Sequence, residues 1–465
     1  MARLPSIGKP ERKYLDRYAE LEASLADRLG SFGHALVVPA FGEGEELIAM
    51  LRSVPGGPAG EVLVVVVING KPSAPAWVND RNRVVVERLR RAFSEGKAET
   101  LSHKPPAHLL EVGKTSILCV DRSSPEHWFP DDQGVGLARK IGVDLCLRLW
   151  SAGRLGSPVI HSTDADVELQ ADYFERPELA RDAAALVYPF AHRPAGDPEL
   201  ARAVLLYEIS LRYYVLGLAF AGSPYAHHTI GSTITTGARA YATVRGFPKR
   251  AAAEDFYLLA KLAKIGPVVS MRGRPIMISG RASSRVPFGT GAAVRRISAA
   301  GAEPFTVYAP SLFRYLRAWL ATLVDVHLAG SDGAEAFERR VSRACANDGL
   351  DPAPLLASLH ALGAREAIAS ARRRSKTTGA LRRHVTTWFD AFRTLKLLHM
   401  LQRGGVAPRP WRDALGEAQF TRDALGDRPS LDERDLGALA ALCERLASIE
   451  PREPIGRESA SVVDA

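Results

Sequence analysis

Ala35-Leu-Val-Val-Pro-Ala-Phe41-Gly-Glu-Gly-Glu-Glu46 and Val62-Leu-Val-Val-Val-Val-Ile-Asn69 are two uninterrupted apolar runs, each closing on a polar turn. Neither run alternates apolar with polar, so each reads as a strand covered on both faces, as in a parallel sheet. Between them Leu47, Met50, Leu51 and Val54 share one helical stripe, and Pro55-Gly-Gly-Pro58 stops it. Strand, helix and strand in so short a stretch make a β-α-β unit, which commits the chain to an α/β architecture.

The pattern continues outward from that unit. Val84 to Phe93 reads as a helix and Ser116-Ile-Leu-Cys-Val-Asp121 as a third strand. Leu137, Ile141, Leu145 and Leu149 recur every four residues and predict a helix over 134–151. It feeds Pro158-Val-Ile-His-Ser-Thr163, a short strand ending in Asp164-Ala-Asp166. Ligands of open α/β sheets bind beyond the carboxyl ends of the strands, which is where Asn69, Asp121, Asp164 and Asp166 are expected. Residues 171–300 mix helices with loops rich in Gly and His, and a helix over Ala251–Ile265 stops at Gly266-Pro267. From about residue 308 the chain becomes helical and basic. The expected organisation is a helical lead-in (1–32), a catalytic α/β domain (33–300), a helical C-terminal domain (301–450) and a frayed tail (451–465).

Composition narrows the function classes. The chain has 465 residues, 46% of them hydrophobic and 24% charged, enough apolar matter to bury a core and exclude global disorder. Lys plus Arg at 61 against Asp plus Glu at 52 leaves +9, which favours anionic partners. Four cysteines stand far apart at 119, 146, 345 and 443, so neither a Cys-rich zinc site nor a disulfide scaffold is indicated. The longest apolar runs carry Arg212 and Arg317, and the N-terminus has no apolar signal core. No spanning segment and a cytoplasmic location are therefore expected. No Gly-x-Ser-x-Gly elbow supports serine hydrolysis.

Several residues could carry chemistry. Two carboxylates two residues apart after a buried strand, Asp164 and Asp166, can converge on one hard cation; oxygen ligands suit Mg²⁺ or Mn²⁺, which also bridge to phosphates. Glu254-Asp255 opens a helix, where an acid gains from the helix dipole and could also deprotonate a hydroxyl. Gly134-Val-Gly-Leu-Ala-Arg139-Lys140 sets small residues and two cations at a helix start, suited to phosphate or a sugar hydroxyl. It lacks the ending of a P-loop and is misplaced for a dinucleotide fingerprint. His227-His228 offers a metal ligand at His228, against a site-lining role. Ser283-Ser-Arg285-Val-Pro-Phe-Gly289-Thr-Gly291 is a cationic loop that could fold over a diphosphate through Arg285.

In order, Val37-Val-Pro-Ala-Phe-Gly-Glu43, Val64-Val-Val-Val-Ile-Asn69-Gly, Gly136-Leu-Ala-Arg-Lys-Ile-Gly142, Ser162-Thr-Asp-Ala-Asp166 and Arg245-Gly-Phe-Pro-Lys-Arg-Ala-Ala-Ala-Glu254-Asp255 resemble the family 2-like glycosyltransferases of the GT-A fold. The resemblance covers about residues 33–300. It implies an open, mostly parallel sheet flanked by helices and a nucleotide-diphospho-sugar donor over the sheet edge. The nucleoside would lie near Pro39, Glu43 and Asn69, with Asp121 a further contact. It makes Asp164 and Asp166 the family's DxD metal motif, and Asp255, or second to it Glu254, the base of the inverting members. Two departures matter. The second strand ends Ile-Asn-Gly-Lys-Pro, where many members have Asp or Asn followed by Ser and Asp. The Gln-x-x-Arg-Trp element of processive synthases is absent after residue 255, which points to a single transfer.

The expected function is metal-dependent transfer of a sugar to an acceptor hydroxyl, with Arg139, Lys140 or Arg285 adding charge at the diphosphate. A sugar-phosphate nucleotidyltransferase on the same fold is the nearest rival. A nucleic-acid-binding or scaffold protein using Arg372-Arg-Arg374 is the other, and no nucleic-acid recognition module supports it. The C-terminal helices are expected to shape an acceptor cleft, for an anionic or lipid-linked acceptor, or a homodimer contact.

Overall fold

The computed structural model describes residues 8–93, 98–176, 183–194, 196–281, 289–299, 303–325, 334–425 and 432–451. Arg285 and the expected tail from 452 onward lie outside them. The chain divides into two compact units: Met1–Val204 with Thr229–Arg296, and Leu205–His228 with Ile297–Ala465. Residues 205–228 thus group with the C-terminal helices, and the N-terminal helices with the sheet.

The first unit is an α/β sheet with helices packed on it. α1 (Lys9–Arg17) leads to β1 (His34–Ala40), α2 (Glu45–Arg52), β2 (Val62–Asn69) and α3 (Ala76–Ala92). Then come β3 (Ala98–His103), β4 (Pro106–Val112), β5 (Thr115–Arg122), α4 (Val135–Ser151), β6 (Val159–Ser162) and β7 (Val167–Glu168). β8 (Ala185–Val187), β9 (Phe190–Arg193), α5 (Pro198–Phe220), β10 (Ile234–Gly237), α6 (Ala238–Thr243), α7 (Glu254–Leu262), β11 (Val268–Ser270), β12 (Ile276–Ser279) and α8 (Thr290–Ala299) follow. The main sheet runs β11-β8-β10-β6-β1-β2-β5-β4-β3. Its centre, β5-β2-β1-β6, is parallel, and β10, β4 and β3 run antiparallel to their neighbours. β1 and β2 are buried along their whole length, as their unbroken apolar runs require.

Chain order moves outward from β1 to β2 on one side and returns to β6 on the other. The β1–β6 boundary is therefore the switch point, the position where such sheets leave a crevice. A second sheet, β7-β12-β9, stands beside it.

Two elements differ from the sequence reading. The β3–β4 hairpin escaped it because β3 exposes Ala98, Glu99, Thr100 and His103, and an edge strand so polar leaves no apolar run to detect. α3 begins at Ala76 rather than near Val84, since its buried stripe of Val78, Asn82, Val85 and Leu89 includes a polar residue. Asn82 is buried for a reason: it donates to Asn69 O at 2.7 Å and accepts from Gly42 N at 2.8 Å, joining the ends of β1 and β2.

The second unit is mainly helical. It takes α5 from Leu205 and adds α9 (Pro310–Asp325), α10 (Ala334–Asn347), α11 (Ala353–Ala361), α12 (Ala364–Arg374), α13 (Thr378–Trp388) and α14 (Ala391–Arg403). α15 (Trp411–Glu417), α16 (Arg422–Leu425) and α17 (Leu436–Ser448) complete it around buried Phe313, Trp319 and Trp411. Among the described residues α5 alone is long and apolar enough, by length and composition, to cross a membrane. Arg212, which the sequence reading took to break this apolar run, is paired within the helix with Glu208, 2.7 Å away. The most apolar window of α5 is 67% buried inside the protein.

Candidate active site at the carboxyl edge of the sheet

The site is organised by Arg139. Gly136 in the first turn of α4 lies so close to residues 248–250 that a Cβ would stand 2.3 Å from Pro248 O. That approach seats α4 against the segment leading into α7 and points Arg139, only 2% exposed, at the end of β6. Its Nε donates to Glu254 Oε1 at 2.9 Å, Nη1 to Ser162 Oγ at 2.6 Å and Thr163 O, and Nη2 to Asp164 Oδ1. One guanidinium thereby ties α4, the β6 terminus and the α7 start together. The glycines around Arg139, which the sequence reading took for an anion-binding feature, act here as packing surfaces. Arg139 itself is committed to carboxylates of the protein.

Glu254 and Asp255 begin α7, entered through Ala253 in the left-handed region at φ 62°. A non-glycine residue there costs about 1 kcal/mol, a cost the surrounding contacts carry. Asp255 is half-buried, and its Oδ1 accepts from Phe256 N at 2.7 Å. Desolvation first, and then the neighbouring Glu254 charge, push its pKa up to about 7. Burial raises the pKa of Glu254 as well, with the charge of Arg139, 2.9 Å away, working against it.

Asp166 does not turn toward Arg139. Its Oδ2 lies 2.9 Å from Arg281 Nη2, which also donates to Glu43 Oε2 at 2.8 Å, while Nη1 donates to Glu46 Oε1 at 2.6 Å. Arg281, just past β12, went unnoticed in the sequence. The signal available was its position opening the cationic loop from which Arg285 was chosen instead. Six carboxyl groups, Glu43, Glu46, Asp164, Asp166, Glu254 and Asp255, thus stand around two guanidinium groups.

The remaining expected residues fall in different places. Pro39 is buried within β1. Asn69 donates to Ala40 O at 2.8 Å, fastening β2 to β1. Asp121 is half-buried at the end of β5 and accepts from Ser123 N. Lys140 is not part of the cluster: its Nζ is held by Tyr14 Oη at 2.6 Å, Tyr18 O at 2.7 Å and Asp144 Oδ2 at 2.7 Å. An ammonium has three protons, so these contacts leave nothing for a phosphate, and the phosphate role expected of Lys140 is corrected to an anchor for α1. His228 belongs to the other unit, where its Nε2 meets Glu450 at 2.9 Å beside Arg212. Near the ends of β1, β2 and β5, Trp128 lies against Gly70, Lys71 sits 5.9 Å from the Phe41 ring, and Trp77 is 43% exposed. These aromatic residues were also missed, because none repeats with a period.

The residues can be tested for a divalent cation. All donors at the edge are carboxylate oxygens, the chemistry that Mg²⁺ and Mn²⁺ prefer. Glu43, Glu46 and Asp166 share one cationic group, Arg281. Among the described residues no three acidic, His or Cys side chains are grouped so as to hold an ion. These oxygen donors suit a divalent cation in their chemistry, and among the described residues they are not gathered into a ligand set.

Gly231 closes the far side of Arg139: a Cβ there would lie 2.4 Å from Nη2. Gly231→Ala is therefore expected to displace the guanidinium from Asp164 and to lower the melting temperature by several degrees. A calorimetric melt of the full chain checks this.

No family model matches the chain, and no curated protein matches it. Among solved structures it is similar to TarS of S. aureus (1–349, in complex with UDP-GlcNAc), with 10% identity over 77% of this chain and 91% of that one and a TM-score of 0.33. It is also similar to the mannosyltransferase PcManGT from Pyrobaculum calidifontis in complex with GDP-Man and Mn²⁺, with 15% identity over 81% and 94% and a TM-score of 0.28. TM-scores this low leave what this chain does to its own residues.

Proposed function

We propose that this chain transfers a single sugar from a nucleotide-diphospho-sugar to an acceptor hydroxyl, with inversion at the anomeric carbon. The observation that carries this reading is Asp255, a half-buried carboxyl with its pKa pushed up to about 7, beside the carboxylate cluster at the carboxyl edge of a parallel sheet. A base is most effective when its pKa lies near the working pH, which favours Asp255 over an ordinary aspartate. Asp255 accepts the acceptor's proton as the acceptor oxygen forms its bond to C1. The bond from C1 to the phosphate oxygen breaks, and the nucleoside diphosphate leaves with the electron pair.

Glu254 is a positioning residue, held by Arg139 so that Asp255 keeps its raised pKa. Asp164, Asp166 and Glu43 would hold Mn²⁺ or Mg²⁺, whose charge stabilises the leaving diphosphate when bound. Phe41, Trp77 and Trp128 offer aromatic faces for the base of the nucleotide, in line with a nucleoside over the ends of β1 and β2. In the C-terminal helices, residues 367–389 hold Arg372, Arg373, Arg374, Lys376, Arg382 and Arg383 and no acid, which supports an anionic or lipid-linked acceptor.

Titration calorimetry with UDP-, GDP-, ADP- and dTDP-sugars, each with and without Mn²⁺, tests the reading. One donor is expected to bind, with release of the nucleoside diphosphate on turnover. Binding of NTPs alone, with release of pyrophosphate, would replace it by nucleotidyl transfer.

A further inference from the structure

The positive charge of this chain is local. The stretch from α11 to α14, residues 353–403, carries ten Lys and Arg against two acids, Glu366 and Asp390, whereas the rest of the chain carries 51 against 50. Eight of the nine net charges therefore belong to four successive helices. Within them the charge gathers at one end of a helical hairpin. α12 ends on Arg372, Arg373 and Arg374, Lys376 lies in the connection, and Arg382 and Arg383 follow in the second turn of α13. Ser375 Oγ stands 2.9 Å from His384 Nδ1, so that turn of α13 lies against the end of α12 and the two sets of cations share one end.

We propose that this end of the α12–α13 hairpin is a docking surface for an anionic lipid bilayer. Ile368, Ala371 and Val385 are buried and hold the hairpin to its unit, while Arg373, Arg374, Lys376 and Arg383 are exposed. Helix stability explains only part of the charge. Cations in the last turn of α12 answer its dipole, but Lys376 lies past that helix and Arg383 sits where the dipole of α13 gives it nothing. Clusters of this size bind anionic headgroups, each Lys or Arg adding to the attraction. Lipids move sideways in a bilayer and gather under cations of irregular spacing, whereas the phosphates of a duplex are fixed. Between Arg372 and Arg383 there is also no aromatic residue on which a base could stack. Leu381, half-buried, is the one large apolar side chain there, so the contact stays at headgroup level and is governed by charge.

A consequence, that a lipid-linked acceptor is met at the bilayer surface, rests on the transferase reading above. Docking itself does not, and it is measured without donor or acceptor, so the two can fail separately. The full-length chain is sedimented with vesicles of phosphatidylcholine alone or with one-third phosphatidylglycerol. Wild type is expected to bind the anionic vesicles only, and to leave them as salt rises from about 0.1 M to about 1 M and shortens the reach of a charge from about 10 Å to about 3 Å. Arg373→Gln/Arg374→Gln/Arg383→Gln should bind about 100-fold more weakly. Lys13→Gln/Arg17→Gln/Arg52→Gln removes as much charge from exposed positions of the sheet unit and should stay within a few-fold of wild type.

No binding of wild type to anionic vesicles, or undiminished binding in the hairpin variant, overturns the proposal. An equal loss in both triple variants assigns the attraction to overall charge and overturns the hairpin as its site. Retention on single-stranded or duplex DNA, with anionic vesicles unbound, replaces the bilayer by a nucleic acid. Thermal melts identify a hairpin variant that fails to fold. In that case Lys376→Glu, an exposed change in the connection, carries the comparison, with an expected loss of about 10-fold.

Discussion

Asp255→Asn is expected to lower the rate of sugar transfer about 1,000-fold while leaving donor affinity within a few-fold, because general-base contributions fall between about 100- and 10,000-fold. The amide keeps the size of the side chain and the bond from Phe256 N but accepts no proton. Wild-type kcat/KM should rise with pH and level off above about 7, where Asp255 loses its proton, and this limb should vanish in the variant. Stability supplies an independent readout. The folded pKa of Asp255 lies above its ordinary value of 3.8, so the unfolded chain releases this proton first, and the group destabilises the fold increasingly as pH rises from about 4 to 7. Asp255→Asn should therefore be more stable than wild type at pH 8, with the advantage gone near pH 4. A variant equally slow but less stable at pH 8 would make Asp255 a structural residue.

Arg139→Met should be the most destabilising change at the site, by about 3–5 kcal/mol at neutral pH, the loss seen when one partner of a buried ion pair is removed. For a unit of this size that is a fall in Tm of about 10 °C. The cause is specific: Glu254 at 4% exposure keeps its charge but loses its partner, and Asp164, Ser162 and Thr163 lose a shared donor. Protonating Glu254 relieves the unpaired charge, so the loss should shrink at pH 5 and grow at pH 8. Urea unfolding at the two pH values measures it. Arg139→Lys should recover less than half, since one ammonium cannot reach four groups set around a planar fork. A loss below about 1 kcal/mol at pH 8 would mean that Arg139 is dispensable to the fold and acts on substrate instead.

The parts of this protein that were legible in its sequence are those set by local period. Unbroken Val, Ile and Leu runs at 35–40, 62–68 and 116–120 can satisfy their apolar side chains only inside a parallel sheet, and β1, β2 and β5 lie there. The four-residue repeat from Leu137 to Leu149 is α4 almost to the residue. The ends of those strands follow from the same runs, which is why Asn69, Asp121, Asp164 and Asp166 are expected at one edge from the sequence, Glu43 being added only by the family resemblance. Glu254 and Asp255 were legible too, as acids opening a helix.

Tertiary structure alone decided which charge meets which. Arg139 and Lys140 are neighbours in sequence and look interchangeable, yet successive helix positions point about 100° apart. One side chain enters the carboxylate edge and the other the Tyr14–Asp144 pocket. Arg281 and Arg285 stand four residues apart in the sequence with the same chemistry, and the fold brings Arg281 to Glu43, more than 200 residues earlier. The raised pKa of Asp255 arises from burial and from Glu254 and Asp164, of which only Glu254 is a neighbour in the chain. Electrostatic energy depends on separation in space and on the loss of water around each charge. Local sequence specifies neither, so the elements and their edge were readable from it, and the pairing that turns that edge into a site was settled only when distant segments packed together.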